Sequence, residues 1–329
     1  MRPALALALF LAAITASAAT VDPLLKNLRI ALRMGPDHVL LIGGELQGYM
    51  ESEVVRSVKE EFPEDLRFVR QRPRVAPVDD MHFASPERLA RFQFLPDTPW
   101  APGDRWLLHT GSTQPVALVL EEVGFGFYCG GPDGWAIAVA RYESPTKAHV
   151  VAGLRAEAYL AAPSRNRVHV STAPMVPLGS GSLSASVSAL LLKNARAIIS
   201  QAGDQDLMRE PFLSGSLPPG RLTAFRWTPA RGQTLIFAEY RWLGAQGRDL
   251  VGAGGVLTKS PLAIVQGGAG KAEGNEGMEP FAWLNVWQIG GRSFALVYSR
   301  GLEIYEVSLL EVVPGKGLVE TGLSCMEGC

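Results

Sequence analysis

The sequence has little charge imbalance, few cysteines and no long hydrophobic run after its first 18 residues. Its longest apolar stretch, residues 4–16, is shorter than the roughly 20 apolar residues of a membrane-spanning helix. The 31 Lys and Arg are balanced by 32 Asp and Glu, whereas proteins that bind nucleic-acid phosphates need a basic surface. We therefore expect no membrane span in the mature chain and no nucleic-acid partner.

The first 18 residues have the organisation of a secretory signal peptide. Arg2 gives a positive start, the apolar stretch follows, and Ala16, Ser17 and Ala18 fit a signal-peptidase site. No cysteine follows that site directly, so a lipid anchor is not expected. The sequence thus predicts a protein that is secreted or periplasmic and soluble after cleavage of residues 1–18.

Cysteine is scarce: the sequence has 3, which are Cys129, Cys325 and Cys329. In an oxidising compartment at least one pair is expected to form a disulfide, and spacing does not decide among the three pairings. A bridge from Cys129 to either C-terminal cysteine closes a longer loop, and would stabilise the fold more than a Cys325–Cys329 bridge. No histidine lies close to these cysteines in sequence, so neither a metal site nor a cofactor is predicted.

Short catalytic motifs are missing or lie out of context. Residues 144–147 fit S-x-x-K, but no S-D-N or K-T-G follows, so we interpret them as a turn. A dinucleotide-binding fingerprint follows a strand, whereas the glycines of 252–255 precede one. They are therefore interpreted as turn glycines. Residues 79–82 (DDMH) are interpreted as solvated turn residues, and His109 and His169 as packed or surface groups.

Apolar periodicity predicts a small α/β or α+β region over residues 19–102. Helices are expected at 21–34 and 52–62, strands at 38–42 and 66–69, and a proline-rich connection follows.

From residue 103 to 313 the sequence predicts a β-rich body of antiparallel sheets, either propeller-like or a sandwich. One buried helix near 184–201 interrupts it, and the stretch 203–220 offers a further subdivision. Gly290 and Gly291 suit a two-residue hairpin turn. Residues 267–279 are expected to form a loop and residues 314–329 a C-terminal tail. The expected strands are 105–109, 116–121, 125–129, 135–142, 149–154, 168–172, 221–227, 234–242, 256–265, 281–289, 293–299 and 302–309.

Carboxylates lie among aromatic residues in the C-terminal half of this body. Glu239, in the run FAEYRW, and Glu279 and Glu303, close to the last apolar runs, are the candidate catalytic residues. Glycoside hydrolases use a pair of such carboxylates. The same alternation of polar and apolar residues also arises in an ordinary half-exposed strand.

Residues 281–305 (FAWLNVWQIGGRSFALVYSRGLEIY) resemble a degenerate FG-GAP or VCBS-type repeat, a unit of integrin-like β-propellers. The resemblance places Ala295, Leu296 and Val297 at the family's E-L-V position. It also places Trp287, Ile289 and Gly291 where the family has acidic calcium ligands, so calcium binding does not carry over. What the resemblance implies is a propeller-like sheet without a metal.

Two functions are consistent with these residues. The lack of a recognisable nucleophile, metal or phosphate motif favours a non-enzymatic binding or structural module, with an extracellular polymer or protein as its partner. The alternative is an extracytoplasmic hydrolase acting on carbohydrate or cell-envelope material through Glu239, Glu279 or Glu303. A pair of these carboxylates facing each other across an aromatic cleft would distinguish the second from the first.

Overall fold

The computed structural model describes residues 23–46, 53, 56, 60, 67–69, 80–84, 100–111, 114–127, 134–144, 157–165, 168–171, 173, 175–178, 189, 192–193, 220–230, 233–243, 249–258, 264–265, 269–273, 281–300, 304–313 and 317–328. The predicted signal peptide, the predicted strand at 149–154, the subdivision at 203–220, Cys129 and Cys329 lie outside these residues. Predictions about them therefore stay predictions.

Most of the described residues are in β-strands, as the sequence predicts. The strands are β1 Arg29–Met34, β2 His38–Glu45, β3 Arg67–Val69, β4 Asp80–Ala84, β5 Arg105–His109, β6 Val116–Phe127, β7 Gly134–Tyr142, β8 Ala158–Pro163, β9 Val170–Ser171, β10 Met175–Leu178, β11 Arg221–Ala230, β12 Gln233–Leu243, β13 Asp249–Thr258, β14 Ile264–Val265, β15 Ala269–Glu273, β16 Phe281–Ile289, β17 Arg292–Arg300, β18 Ile304–Val313 and β19 Gly317–Gly328. All of their pairings are antiparallel.

The strands form three sheets. The first has the order β3-β4-β6-β5-β8-β1-β2-β7, and β6 also pairs with β7. That extra pairing closes the strands β6, β5, β8, β1, β2 and β7 into a ring, which we call the closed sheet. The central sheet has the order β19-β18-β17-β16-β9, and the outer sheet has the order β10-β11-β12-β13-β14 with β15 on β13.

Side chains fill the inside of the closed sheet. Ala136, Ala138 and Ala140 of β7 share this interior with large rings such as Trp106 and Tyr159. The interleaved residues of each strand point outward, because successive side chains of a strand lie on opposite faces. Small residues on β7 thus leave room for the aromatic residues of the strands around it.

The central sheet is covered on both faces. One face packs on the outside of the closed sheet through residues such as Leu160 and Trp287. The other face packs on the outer sheet through residues such as Trp283 and Phe237. Burial on both faces explains why β16 reads FAWLNVWQI, an almost unbroken apolar run without a polar side.

A bulge in β16 determines which side chains reach each neighbour. The pairing with β17 shifts between Trp283↔Val297 and Asn285↔Leu296, so Leu284 is the extra residue. The shift lets both Leu284 and Trp287 point at the closed sheet, while Trp283 points at the outer sheet. One strand thereby contributes a tryptophan to each of its two faces.

The turn between β16 and β17 has the predicted glycine chemistry. Gly290 has φ of 56° and Gly291 has φ of 80°, so both lie in the left-handed region that suits a two-residue hairpin turn. The hairpin of β11 and β12 is also confirmed, with Leu222 opposite Tyr240 and Phe225 opposite Phe237.

The predicted helix at 21–34 is wrong, because residues 29–34 form β1. The run Leu-Arg-Ile-Ala-Leu fits either period, and pairing decides between them: β1 lies between β2 and β8, with Ala31 facing the interior of the closed sheet and Ile30 facing the central sheet. Strands β1 to β4 share one sheet with β5 to β8. The N-terminal segment therefore contributes strands to the sheet of the segment that follows it.

Other corrections have the same cause, which is pairing to a distant strand. The expected loop at 267–279 contains β15, the expected tail at 314–329 contains β19, and the glycines of 252–255 lie inside β13. The runs 116–121 and 125–129 join into β6, whereas 256–265 is divided between β13 and β14. None of these pairings has a signal within the segment itself.

The predicted helices at 52–62 and 184–201 are described at few positions. Glu53, Arg56 and Glu60 are helical and exposed. Ala189, Leu192 and Lys193 are helical, and Leu192 is buried. No helix among the described residues is long and apolar enough to cross a membrane.

Candidate functional site

Of the three candidate carboxylates, Glu239 lies among the described residues, while Glu279 and Glu303 lie outside them. Glu239 is in β12 of the outer sheet, and its Oε2 accepts a hydrogen bond from the backbone N–H of Trp283 at 3.3 Å. The indole Nε1 of the same tryptophan donates to the carbonyl of Ala238 at 2.8 Å. The carboxylate therefore helps to join the outer sheet to the central sheet.

The aromatic rings near Glu239 are packed into the protein. The ring of Trp283 lies 5.3 Å from that of Phe237 and 5.2 Å from that of Phe281, in edge-to-face geometry. Tyr240, beside Glu239 in β12, is 3% exposed, and Trp283 is 0% exposed. Rings that stack on a sugar need a face open to solvent, and these rings instead stabilise the contact between two sheets.

A second set of polar contacts joins the central sheet to the closed sheet. Asn285 is fully buried, and its Nδ2 lies 3.4 Å from the carbonyl of Ala158 and 3.5 Å from that of Thr110. Trp287 donates its indole N–H to the carbonyl of His109 at 3.0 Å. We call these five residues the polar seam. Sequence reasoning missed it, although an asparagine inside an apolar strand was a usable signal, since a buried amide needs partners.

The backbone carbonyls of His109 and His169 contact different residues of the β16–β17 hairpin, which are Trp287 and Gly290. His109 is at the polar seam and is 7% exposed, whereas His169 is exposed and its carbonyl accepts the N–H of Gly290 at 3.5 Å. Trp287 and Gly290 are three residues apart, which is about 10 Å along a strand. Burial lowers the pKa of His109 to about 4, so this imidazole is neutral at pH 7.

The interpretation of residues 79–82 as a solvated turn is wrong for the part that the structure describes. Asp80 begins β4, and His82 is 5% exposed with its ring stacked on Phe125 at 5.2 Å. Pairing of β4 with the second half of β6 causes this burial. No group of three His, Cys, Asp or Glu side chains within the described ranges is suited to hold a metal ion.

An exposed cluster of charges lies on the outside of the closed sheet. Glu121 accepts a hydrogen bond from Nε of Arg141 at 2.6 Å, and its other oxygen lies 3.1 Å from Nε2 of His38. His38 and Arg141 are direct cross-strand neighbours. Glu121 is the extra residue of a bulge, because the β6–β7 pairing shifts between Leu120 and Glu122. The bulge turns the Glu121 side chain towards His38 and Arg141, which a regular strand would not do at this position.

The cluster continues across β5. Arg105 and Arg141 both pair with Val119 of β6, one from each side, and Arg105 forms an ion pair with Glu143 at 2.8 Å. We call Arg105, Arg141, His38, Glu121 and Glu143 the charged row. Their side chains are 36% to 69% exposed.

The sulfur of Cys325 is buried in the layer between the closed and central sheets. The side chain is 1% exposed, and Sγ lies 3.8 Å from the carbonyl oxygen of Val307. Strand β19 is paired as far as Gly328. Cys129 and Cys329 lie outside the described residues, so the pairing of the three cysteines stays a prediction.

Chemically, the described candidates divide into groups that join two sheets and exposed groups that form ion pairs. Glu239, Asn285 and Trp287 belong to the first kind, and the charged row belongs to the second. No protein-family model matches this chain, and neither a curated protein nor a solved structure matches it. Function is therefore inferred from the geometry of these residues.

Proposed function

We propose that this protein is a non-enzymatic exported module that binds an extracellular polymer or protein through the charged row. The observation that carries the proposal is the position of Glu239. The carboxylate accepts a backbone N–H from Trp283, and the rings around it are buried. The described candidate for catalysis is thus used to hold two sheets together.

The charged row is suited to exchange its partners for those of a ligand. Exposed ion pairs contribute only about 0–1 kcal/mol each, so replacing Glu143 or Glu121 by an acidic group of a partner costs little. Arg105 and Arg141 lie on opposite sides of Val119, so two strand spacings separate them, or about 10 Å. Guanidinium groups pair with carboxylates and phosphates through two parallel hydrogen bonds, so two arginines on nearby strands suit a partner that carries several acidic groups.

Binding of the mature chain to immobilised acidic and neutral polysaccharides tests this proposal. We expect retention on the acidic polymer that weakens with salt, and a loss of at least ten-fold in affinity for the double variant R105A/R141A. The matched control is R221A/R226A, which removes two exposed arginines from β11 of the outer sheet. Equal losses for both double variants would reject the charged row as the binding surface.

The hydrolase alternative has its own readout. Release of reducing ends from carbohydrate, abolished by E279Q or E303Q but retained by E239Q, would favour a site built outside the described residues. A mature chain that binds acidic polymer and releases no product supports the non-enzymatic proposal. E239Q keeps an acceptor oxygen for the Trp283 N–H, so it separates loss of charge from loss of structure.

The resemblance of residues 281–305 to a propeller repeat stays a proposal as well. It is supported by the order of β16, β17, β18 and β19, which pair consecutively as the strands of a propeller blade do. Trp287 and Ile289, at the family's ligand positions, are both 0% exposed. Burial of these apolar side chains supports a metal-free unit.

A further inference from the structure

His109 occupies the layer between the closed sheet and the central sheet. Its cross-strand partner on β8 is Leu160, and directly opposed residues of an antiparallel pair point to the same face. Leu160 belongs to the side chains packed between the two sheets. The imidazole of His109 therefore points into that layer, which agrees with its exposure of 7%.

The backbone of the same segment holds the two sheets together. The carbonyl of His109 accepts the indole N–H of Trp287, and the carbonyl of the next residue, Thr110, faces the Asn285 amide. A displacement of this segment from the central sheet would break both contacts. The side chain and the hydrogen bonds of the seam are thus mechanically coupled through one stretch of backbone.

The surroundings of the imidazole provide no compensation for a positive charge among the described residues. Leu160 and Ala162 of β8, which lie on the same face of the closed sheet as His109, are apolar. Among the hydrophobic residues that the central sheet contributes to this layer, Tyr298 and Cys325 are titratable, and both are neutral in acid. The cause of the lowered His109 pKa is burial. Arg105, the charged residue of β5 itself, lies four residues away and pairs with Glu143 at the surface.

We propose that His109 makes the contact between the closed sheet and the central sheet sensitive to acid. A proton taken up by its imidazole separates the two sheets at the polar seam and opens the Trp287 indole to water. The physical reason is that an unpaired cation in an apolar layer is strongly unfavourable, whereas the same cation in water is not.

The sign and size of the effect follow from linkage. The native seam holds the pKa of His109 at about 4, against 6.5 for a solvated imidazole, so the separated state binds the proton more tightly. The contact is therefore fully stable above pH 6.5 and loses stability as the pH falls towards 4. The equilibrium constant for separation rises about 100-fold between pH 7 and pH 4.

The test is acrylamide quenching of tryptophan emission in the mature protein from pH 7 to pH 3.5, compared with W287F to isolate the signal of Trp287. We expect quenching of that signal to increase as the pH falls, and the neutral variant H109Q to lose most of the increase. H169Q removes an exposed histidine beside the same strand and is expected to behave as the unmodified protein. An unchanged acid response in H109Q would overturn the proposal.

A second measurement keeps the proposal testable if H109Q does not fold. Proton NMR of the unmodified protein reports both the titration of the His109 ring and the indole N–H of Trp287. A ring midpoint near pH 4 together with loss of the indole signal supports the acid-sensitive contact. A midpoint near 6.5 with the indole signal retained contradicts it.

Discussion

The backbone amide of Trp283 donates to the carboxylate of Glu239 across the boundary between two sheets. Trp283 lies in β16 beyond the two positions, Gln288 and Ile289, at which β9 pairs with the same strand. The Trp283 amide thus lies outside the pairing of β16 with β9, and the Glu239 carboxylate accepts its hydrogen bond instead. A buried donor without an acceptor costs about 1–3 kcal/mol, which gives this contact a measurable weight.

Glu239→Ala should therefore lower the free energy of unfolding by about 1–2 kcal/mol, because the Trp283 amide loses its acceptor. Glu239→Gln keeps an acceptor oxygen and should lose less. Urea denaturation of the protein measures both. Glu320→Ala removes an exposed glutamate from β19 and should stay within about 0.5 kcal/mol of the unmodified protein. A loss in E239A no larger than in E320A would show that the contact contributes nothing.

Asn285→Leu should destabilise the protein by about 2–4 kcal/mol, because the carbonyls of Thr110 and Ala158 lose a common donor while the volume is nearly kept. Urea denaturation gives the magnitude, and hydrogen exchange at the amides of β8 shows whether the loss lies at the seam. Gln288→Leu, on the same strand, removes only an exposed contact with Gly291 and should have a small effect. Equal stability of the two variants would contradict the assigned role of Asn285.

The two turn glycines should differ in their response to alanine. Gly291→Ala forces a left-handed backbone on alanine with no neighbour within 4 Å, and should cost about 1–2 kcal/mol. Gly290→Ala adds a contact of 3.2 Å with Leu24 and should cost at least as much. Gly291→Asn should be nearly neutral, because asparagine tolerates this conformation. Thermal denaturation separates the three variants, and a stabilising G291A would show that the turn is not of this kind.

Cys325 should remain a thiol that reacts slowly with a maleimide in the native protein and rapidly in urea. Its side chain is 1% exposed, and its sulfur lies 3.8 Å from the carbonyl oxygen of Val307 inside the layer, so a reagent reaches it only when the protein unfolds. Peptide mapping without reduction identifies any disulfide. A recovered peptide that links Cys325 to Cys129 or to Cys329 would contradict this prediction.

Alternation and turn residues were enough to predict some strands to the residue. Strand β5 and strand β16 coincide with the predicted runs at 105–109 and 281–289, since each is flanked by glycine, proline or polar residues. The alternation in 116–129 breaks at Glu121 and suggested two strands, but the break is a bulge within β6. A single sequence cannot distinguish a bulge from a loop, because both interrupt the period of two.

The site was less predictable than the fold. Glu121 meets His38 and Arg141 only because β2, β7 and β6 are neighbours in a given register, and no local spacing encodes that register. The polar seam likewise depends on how two sheets stack. Glu239 was recognised as a notable carboxylate, but its use in joining sheets depends on the proximity of β16, which lies more than forty residues later in the chain.

Closure of the ring also fixes an order in which its strands can pair. Strand β1 is bounded by β2, which follows it at once, and by β8, which begins only at Ala158. Until residues 158–161 are available, the second edge of β1 has no partner, so the N-terminal strands cannot complete their sheet as they are made. Such distant pairings slow folding. The ring can therefore close only after the middle third of the chain is available.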